Sequence, residues 1–424
     1  MTSTSSLWAA LFREVDANAE ARPRLLPRLE RRAPAHVVYG GAHLYAEGTV
    51  EKVGALARRA FDTYGRDAGT FAAALALPPG TEDRTFERVR AKLLREPVED
   101  YRIDFEDGYG VRSDAEEDEH AARAGRALAR AAREGRAAPL SGVRVKSLAV
   151  ATRLRAARTF DTFMTALLDE GGGSLPPGVV VTLPKVEGPA EVRVLSSRLD
   201  DLERASGLSS GAIGLELMVE TPAIVLGPDG RSPLGEVVLA GAGRVTGVHI
   251  GSYDLTASLG IVGSAQRLEH PACDFAKHIV QFVLAGQGLA LSDGATTVLP
   301  IEPHRGEPHR AEPLSAEARA DNERAVHHAW RLHADAVRHG LIGGFFQGWD
   351  LHPAQVPARF GALFAFFAEA LPEMRARLGR FRAQKEQATR VGQAFDDAAT
   401  AEGLANFFRF GELVGALDPH ESAA

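Results

Sequence analysis

Two acidic residues, Glu220 and Asp254, lie at the ends of short apolar runs in this sequence. Glu220 closes the run GLELMVE, and Asp254 closely follows the run VTGVHIG. A helix-start signal comes next in each case: Thr221 and Pro222 pair a capping residue with proline, and small and apolar residues follow Asp254. Carboxylates that end neighbouring strands of a parallel sheet share one rim, and their oxygens are the ligands that Mg²⁺ prefers. The pattern predicts a site for a hard divalent cation, Mg²⁺ or a similar ion such as Mn²⁺.

Charged side chains are also frequent where the other apolar runs end. They are Asp104, Glu106 and Asp107 on the second run, Arg144 and Lys146 on the third, Lys185 and Glu187 on the fourth, and Glu216 within the fifth. An isolated buried charge is strongly destabilising, so each of these residues must pair or bind a metal. For any one of them, a salt bridge inside the sheet explains its position as well as a site does. Together, on five strand ends, they favour a site. Glu216 is expected in the core below Glu220 or against a neighbouring basic residue, rather than as a direct metal ligand.

The elements that must position these residues are eight short apolar runs separated by helical patterns. The predicted strands lie within residues 36–46, 100–110, 142–148, 178–188, 214–220, 245–251, 288–294 and 341–356. Strands that alternate with helices are typical of βαβ units, with parallel pairing and right-handed crossovers. Eight units predict an α/β fold, a closed (β/α)8 TIM barrel, whose functional residues lie at the C-terminal ends of the strands. The first turn, YGGAHLY, lacks the GxGxxG pattern of a dinucleotide-binding fold.

Helical patterns on both sides of the eight units predict two extensions. We expect an N-terminal helical extension over 1–35, a TIM-barrel catalytic domain over 36–356 and a C-terminal helical region over 357–424. Residues 295–320, rich in proline and histidine, form an insertion after the seventh strand on the active-site side. A lid, a subunit contact and an insertion without fixed structure are all open interpretations of this segment.

Composition restricts the class of protein. The 424 residues carry a net charge of −7, which argues against non-specific binding of nucleic acid. The single cysteine, Cys273, cannot form an intrachain disulfide and is expected to serve in packing, in a reducing compartment. No apolar stretch approaches the roughly 20 residues that span a membrane, and the N-terminus lacks the pattern of a signal peptide. We expect a cytoplasmic homo-oligomer with a small-molecule substrate and neither a nucleic-acid nor a membrane partner.

The charged residues at the strand ends form motifs that resemble the HpcH/HpaI aldolase and citrate lyase β-subunit family, in the pyruvate/phosphoenolpyruvate barrel superfamily. The family's motifs D-L-E-D, R-x-K, L-P-K-x-E, I-E-T, G-x-x-D-L-x-x-x-L-G and I-H-P-x-Q match, in that order, Asp104–Asp107, Arg144–Lys146, Leu183–Glu187, Val219–Thr221, Gly251–Gly260 and Leu351–Gln355. Each motif is short and individually weak. Their shared order across residues 101–356 makes the resemblance fairly specific.

The resemblance implies a Mg²⁺-dependent carbon–carbon lyase of the aldolase or citrate-lyase type. Its substrate would be a small 2-keto or hydroxy acid, or the CoA thioester of one, which reacts through an enolate. Glu220 and Asp254 would hold the metal, and Arg144 would hold a substrate carboxylate or stabilise the enolate oxygen. The resemblance implies a catalytic set of Arg144, Asp104, Glu106 and Asp107, and a substrate-binding set of Arg144, Lys185, Gly251 and Ser252. The acids would orient Arg144 or a metal-bound water.

The sequence departs from the family's pattern at two places. Glu119 replaces the lysine of the motif K-x-x-A-R, while Arg123 is kept, and the acids at 116–119 are expected to repel the phosphates of CoA. The connection between Glu220 and Asp254 contains the additional segment GPDGRSPLG, which we interpret as a surface insertion.

The sequence does not identify the general base. His120 is the obvious candidate, but its position on an acidic helix predicts a solvated surface histidine. A second group lacks metal-ligand spacing and is expected on a solvated loop and helix face: His304, His309, His327, His328, His333 and His339. Two alternatives to the lyase stay open. One is a thioester hydrolase or phosphoenolpyruvate-handling enzyme on the same metal site, and the other is a keto-acid-binding barrel without catalysis.

Overall fold

A parallel β-barrel forms the centre of the protein. The computed structural model describes residues 34–305, 314–387 and 398–423. The strands are β1 (His36–Gly41), β2 (Asp100–Asp104), β3 (Leu140–Arg144), β4 (Val180–Leu183), β5 (Gly214–Val219), β6 (Val245–Ile250), β7 (Ala290–Ser292) and β8 (Gly348–Asp350). They are hydrogen-bonded in the order β7-β6-β5-β4-β3-β2-β1-β8. A single parallel bridge between Ser292 and Gln347 links the two ends of this order, so the barrel is nearly closed and the predicted α/β TIM barrel is confirmed.

Helices follow every strand and surround the barrel. They are α1 (Thr49–Tyr64), α2 (Ala68–Leu75), α3 (Glu82–Arg95), α4 (Asp114–Arg133), α5 (Arg153–Glu170), α6 (Pro189–Ala205), α7 (Pro222–Val225), α8 (Leu234–Ala240), α9 (Ser252–Ser258), α10 (Pro271–Leu284), α11 (Ala316–Ile342), α12 (Val356–Gln387), α13 (Ala398–Leu413) and α14 (Pro419–Ala423). Within the described residues, no helix is both long and apolar enough to cross a membrane.

Alternation along each strand separates the barrel interior from the layer beneath the helices. On β5, Leu215 and Leu217 join the large apolar core that the helices cover, whereas Met218 belongs to a small cluster inside the barrel. Glu216 faces the same interior, where its carboxylate accepts a hydrogen bond from Nε of Arg102 at 3.0 Å. The expectation that Glu216 lies in the core is therefore confirmed.

A buried polar network lies behind β8, on the opposite face of that strand from the barrel interior. Asp350 is fully buried and accepts hydrogen bonds from Nε of Arg359 at 2.9 and 3.0 Å. Its other contacts are His36 at 2.9 Å and His333 at 3.1 Å. His333 is 1% exposed, and burial lowers its pKa. The expected solvated position is wrong for His333, because the face of α11 that carries it packs on β8.

Other single-residue predictions have mixed outcomes. Cys273 is fully buried, and burial raises the pKa of its thiol, so the packing role is confirmed. His327 is half-buried, with Nε2 at 2.8 Å from the carbonyl oxygen of Tyr64, whereas His304 is exposed beside Asp321. His309 lies outside the described residues.

The segments outside the eight units are described in part. Residues 1–33, and residues 306–313 of the predicted insertion, lie outside the described residues. Helix α12 begins beside β8 and packs against α11 and α3. At the C-terminal end, Phe410 of α13 stacks on Phe346 with ring centroids 4.2 Å apart. The division into parts at residues 35 and 356 stays a prediction.

Candidate active site

The turn after β2 is built around the carboxylate of Asp104, which is 1% exposed. One oxygen accepts the backbone N–H of Glu106 at 2.9 Å, and the other accepts that of Gly108 at 2.7 Å. A side chain at Gly108 would overlap this carboxylate. The two bonds fold residues 104–108 into a compact turn that presents Glu106 and Asp107 at the C-terminal rim of the barrel.

Arg144, at the end of β3, is clamped by the same carboxylate. Its Nε and Nη2 donate to the two oxygens of Asp104 at 2.7 and 2.6 Å, a bidentate ion pair. Nη1 lies 3.3 Å from Glu106, and the guanidinium lies over the rings of Tyr39 and Trp349, at 4.9 and 6.0 Å from their centroids. Burial disfavours the charge, but Asp104 more than offsets it and raises the pKa of Arg144. The guanidinium is thus a fixed cation.

Lys185, which follows β4, joins the acids of the rim. Its Nζ pairs with Glu106 and lies 3.3 Å from Asp107 and 3.6 Å from Asp254. Burial lowers the pKa of Lys185, but the hydrogen bond to Glu106 and the other carboxylates raise it above its usual value. The backbone at Lys185 is left-handed, with φ of 50°. Its backbone N–H donates to Oε2 of Glu220 at 2.7 Å.

Glu220 is buried, 1% exposed, directly after β5. A side chain at Gly251, on the neighbouring strand end, would overlap the Glu220 carboxylate, so glycine is required for this packing. Burial raises the pKa of Glu220 to about 7; Arg144 opposes this rise, while Asp254 and Glu106 add to it. The raised pKa of Glu220 therefore reflects mainly the burial of its carboxylate.

Asp254 lies on the rim beside Glu220 and is more accessible, with 40% of its side chain exposed. Helix α9 begins at Ser252, so Asp254 lies in the first turn of the helix rather than before it. Ser252 is 2% exposed, and its Oγ has no hydrogen-bond partner among the described residues. Structural contacts thus join most of the predicted site residues: Asp104, Glu106, Asp107, Arg144, Lys185, Glu220, Gly251 and Asp254.

The donor set fits a hard divalent cation at Glu220 and Asp254. Both side chains offer carboxylate oxygens, and the raised pKa of Glu220 marks a position that a cation would stabilise. No three His, Cys, Asp or Glu side chains within residues 34–305, 314–387 and 398–423 form a ready metal cluster. Mg²⁺ does not need one, because it is commonly bound by one or two carboxylates with waters and substrate. The nearby ammonium of Lys185 would share Asp254 with such an ion.

His120 does not lie on a solvated face, so that prediction is wrong. It is half-buried, and its Nδ1 lies 2.7 Å from the hydroxyl of Tyr109, which follows the acidic turn. Burial lowers the pKa of His120, and Arg123 and Arg112 lower it further. Among the described contacts, none joins His120 to Arg144 or to the rim acids, so it lies beside the site rather than in it.

Two aromatic residues of the site are absent from the sequence-based candidates. Tyr39 of β1 and Trp349 of β8 pack together, with ring centroids 5.0 Å apart, and flank Arg144. In the sequence both resemble ordinary core residues of a strand. The only sequence signal is their position on the interior side of β1 and β8, which requires the register of the barrel.

The fold and the rim residues define a (β/α)8 barrel protein with an acidic site and a fixed guanidinium at the C-terminal ends of its strands. By sequence, the chain belongs to the family described as a domain of unknown function, DUF6986, whose profile matches residues 15–424. No curated protein matches the sequence.

Two solved structures are similar to this chain over most of its length. A citrate lyase from Burkholderia xenovorans LB400 has a TM-score of 0.60 at 17% identity, over 94% of this chain and 97% of that chain. A malate synthase from Haloferax volcanii, in a magnesium and glyoxylate complex, has a TM-score of 0.48 at 14% identity, over 89% and 82%. The first shares the barrel fold with this chain. Membership of the HpcH/HpaI family itself stays a prediction.

Proposed function

We propose that this protein is a Mg²⁺-dependent carbon–carbon lyase of the aldolase or citrate-lyase type. Its substrate is a small 2-keto or hydroxy acid, or the CoA thioester of one. The observation that carries the proposal is the juxtaposition of a clamped, buried guanidinium at Arg144 with the carboxylates of Glu220 and Asp254. This arrangement combines a fixed positive charge for an oxyanion with oxygen ligands for a hard cation.

Cleavage of a carbon–carbon bond beside a carbonyl leaves negative charge on the carbonyl oxygen, as an enolate. A Mg²⁺ held by Glu220 and Asp254 would act as a Lewis acid toward that carbonyl. Arg144 donates to the developing oxyanion or to the neighbouring carboxylate, and it needs no reorganisation because Asp104 already fixes it. Lys185 stays protonated between Glu106 and Asp254, where it limits their mutual repulsion and offers a further donor to the substrate.

A CoA thioester is compatible with the surroundings of the acidic helix α4. Glu117 pairs with Lys146 at 2.8 Å, and Asp118 pairs with Arg155 and Arg158. Because these acids are largely neutralised, their repulsion of phosphate groups is weaker than their sequence alone predicts. The choice between a free acid and its thioester is therefore left to experiment, as are the cytoplasmic location and the homo-oligomer.

Calorimetry with oxalate, pyruvate and oxaloacetate, with and without Mg²⁺, tests the proposal. Wild-type protein is expected to bind at least one of these acids only when Mg²⁺ is present, and Asp254→Ala is expected to lose that binding. Glu87→Ala is the matched control, because Glu87 is an exposed acid paired with Arg90 on α3. Binding that is independent of metal, or equal in Asp254→Ala, would overturn the metal site.

A screen for cleavage of hydroxy acids and their thioesters follows from metal-dependent binding. Release of a keto acid or an acetyl group from one of them would establish the lyase. Hydrolysis of thioesters without carbon–carbon cleavage would instead establish the hydrolase alternative, and binding without any turnover would favour a non-catalytic keto-acid-binding barrel.

A further inference from the structure

Trp349 points into the barrel interior, and its indole N–H has no acceptor among the residues that the structure describes. Its neighbour Asp350 faces outward to Arg359, so the alternation of β8 directs Trp349 inward. The ring lies 5.0 Å from that of Tyr39 and 5.8 Å from that of His249, measured between centroids. The side chain is 8% exposed, and Nε1 is buried without a hydrogen-bond partner among the described residues.

A buried indole N–H normally has a partner, because taking the donor out of water without an acceptor is destabilising. The other two tryptophans are Trp8 and Trp330. Trp330 obeys the rule, since its Nε1 donates to the carbonyl oxygen of Ala354 at 2.6 Å. Trp349 is therefore an exception, and its unpaired N–H is available to a bound ligand that offers an acceptor.

Ser252 carries a second buried donor that has no acceptor among the described residues. The Oγ of Ser252 is buried and unpaired, and a side chain at Gly294 would stand 3.0 Å from it. The carbonyl of Gly294 also accepts the backbone N–H of Trp349 at 3.4 Å. Glycine at 294 thus keeps open the space beside the Ser252 hydroxyl and the backbone of β8.

Arg144 is a third polar group near Trp349. Its guanidinium lies 6.0 Å from the ring of Trp349. Among the described residues, the neighbours of Nη1 are Glu106 at 3.3 Å, Asp107 at 3.7 Å and the Met218 sulfur at 3.8 Å. The guanidinium and the unpaired indole N–H therefore lie near each other among aromatic and thioether side chains. A flat ligand with several acceptor oxygens would accept hydrogen bonds from these donors at the same time. The carboxylate end of a small 2-keto acid is such a group.

We infer that Trp349 is a substrate-contacting, specificity-determining residue. Its indole N–H, together with the Ser252 hydroxyl, donates to the carboxylate of the acid whose carbonyl faces Arg144. The inference rests on the proposed function, because it names how that same site selects its substrate. It predicts a preference for compact, planar acids over acids with a branched carbon next to the carboxylate, since a branch would meet the packed rings of Tyr39 and Trp349.

Indole ¹⁵N–¹H spectra of full-length protein with Mg²⁺ test the inference directly. Saturating oxalate or pyruvate is expected to move the Trp349 proton resonance downfield as it gains an acceptor. The Trp330 resonance serves as an internal control, because that donor is already bonded and buried. Trp349→Phe and Trp330→Phe assign the two peaks. An unmoved Trp349 resonance at saturation would overturn the inference.

Affinity measurements on Trp349→Phe, which keeps a ring but lacks the donor, provide the second readout. The dissociation constants of oxalate and pyruvate are expected to rise roughly tenfold to a hundredfold, the effect of one lost hydrogen bond to a charged acceptor, with Mg²⁺ affinity unchanged. Equal acid affinity in wild type and Trp349→Phe would overturn the role of Trp349 and leave the proposed function intact. Failure of every acid to bind the wild type would overturn both.

Discussion

Asp104 holds Arg144 through both of its oxygens while the same oxygens fold the turn that follows β2. One carboxylate thus sets the position of the guanidinium and of the acids next to it. The pair is almost fully buried. If one partner were removed, water could therefore not easily hydrogen-bond to the other in its place. The positions of Arg144 and of the turn after β2 therefore both depend on Asp104.

Asp104→Asn is expected to lower both stability and keto-acid binding. The amide keeps the shape of the side chain but removes the charged, bidentate partner of Arg144 and leaves it only the longer contacts to Glu106 and Asp107. Breaking a buried pair costs about 3–5 kcal/mol. Urea unfolding and calorimetry measure the two effects. Asp161→Asn removes one partner of an exposed pair with Arg198 and should cost no more than about 1 kcal/mol. Equal losses in the two variants would contradict the assigned role of Asp104.

Glu220 is expected to make the metal-free protein less stable as pH rises. Burial raises its pKa from 4.5 to about 7, so between these values the folded state keeps a proton that the unfolded chain has released. The free energy of unfolding then falls with rising pH across this window, by on the order of 3 kcal/mol relative to Glu220→Gln. Urea unfolding of both proteins in chelator measures the difference, and parallel pH profiles would contradict it.

Lys185→Met is expected to tighten Mg²⁺ binding several-fold while weakening the binding of keto acids. The change removes the ammonium that shares Asp254 and neutralises Glu106, so the remaining carboxylates attract a cation more strongly. Lys52→Met removes the same charge from an exposed position on α1 and controls for net charge. Titration of Mg²⁺ by calorimetry gives the comparison. Weaker Mg²⁺ binding in Lys185→Met would show that Lys185 does not compete with the cation.

Gly251→Ala is expected to abolish Mg²⁺ binding in a protein that still folds. The added methyl group would occupy the space of the Glu220 carboxylate and force it from the rim. Gly188→Ala is the matched control, because a side chain there meets no atom within 4 Å and its φ of −173° suits any residue. Circular dichroism verifies that each variant folds, and calorimetry measures its affinity for Mg²⁺. Normal Mg²⁺ affinity in Gly251→Ala would contradict the assignment of Glu220.

The sequence predicted the features that depend on local order along the chain. Each of the eight apolar runs overlaps a strand of the barrel, and charges at the strand ends, such as Asp104, Lys185 and Glu220, come together because parallel strands end at one rim. The spacing of apolar residues along the chain and the residue types at the strand ends are sufficient for this inference.

Features that depend on what packs against an element were not predictable. His333 and His120 share a helical, polar sequence context, yet one is buried against Asp350 and the other half-buried against Tyr109. Trp349 and Tyr39 resemble core residues, and only the barrel register directs them toward Arg144. The left-handed backbone of Lys185 also has no signal in a residue type that rarely adopts it, and the hydrogen bond from its N–H to Glu220 has none either.

The single bridge between Ser292 and Gln347 gives the barrel a seam, and Trp349 lies on the strand beside it. Strands with few ladder bonds open more readily, so amide hydrogens of β7 and β8 should exchange with solvent faster than those of β2 and β3. A ligand that engages both Trp349 on β8 and Ser252 after β6 would span this seam from within. We therefore expect bound substrate to slow the amide exchange of β7 and β8. Binding of the acid would then also stabilise the weakly paired junction between these two strands.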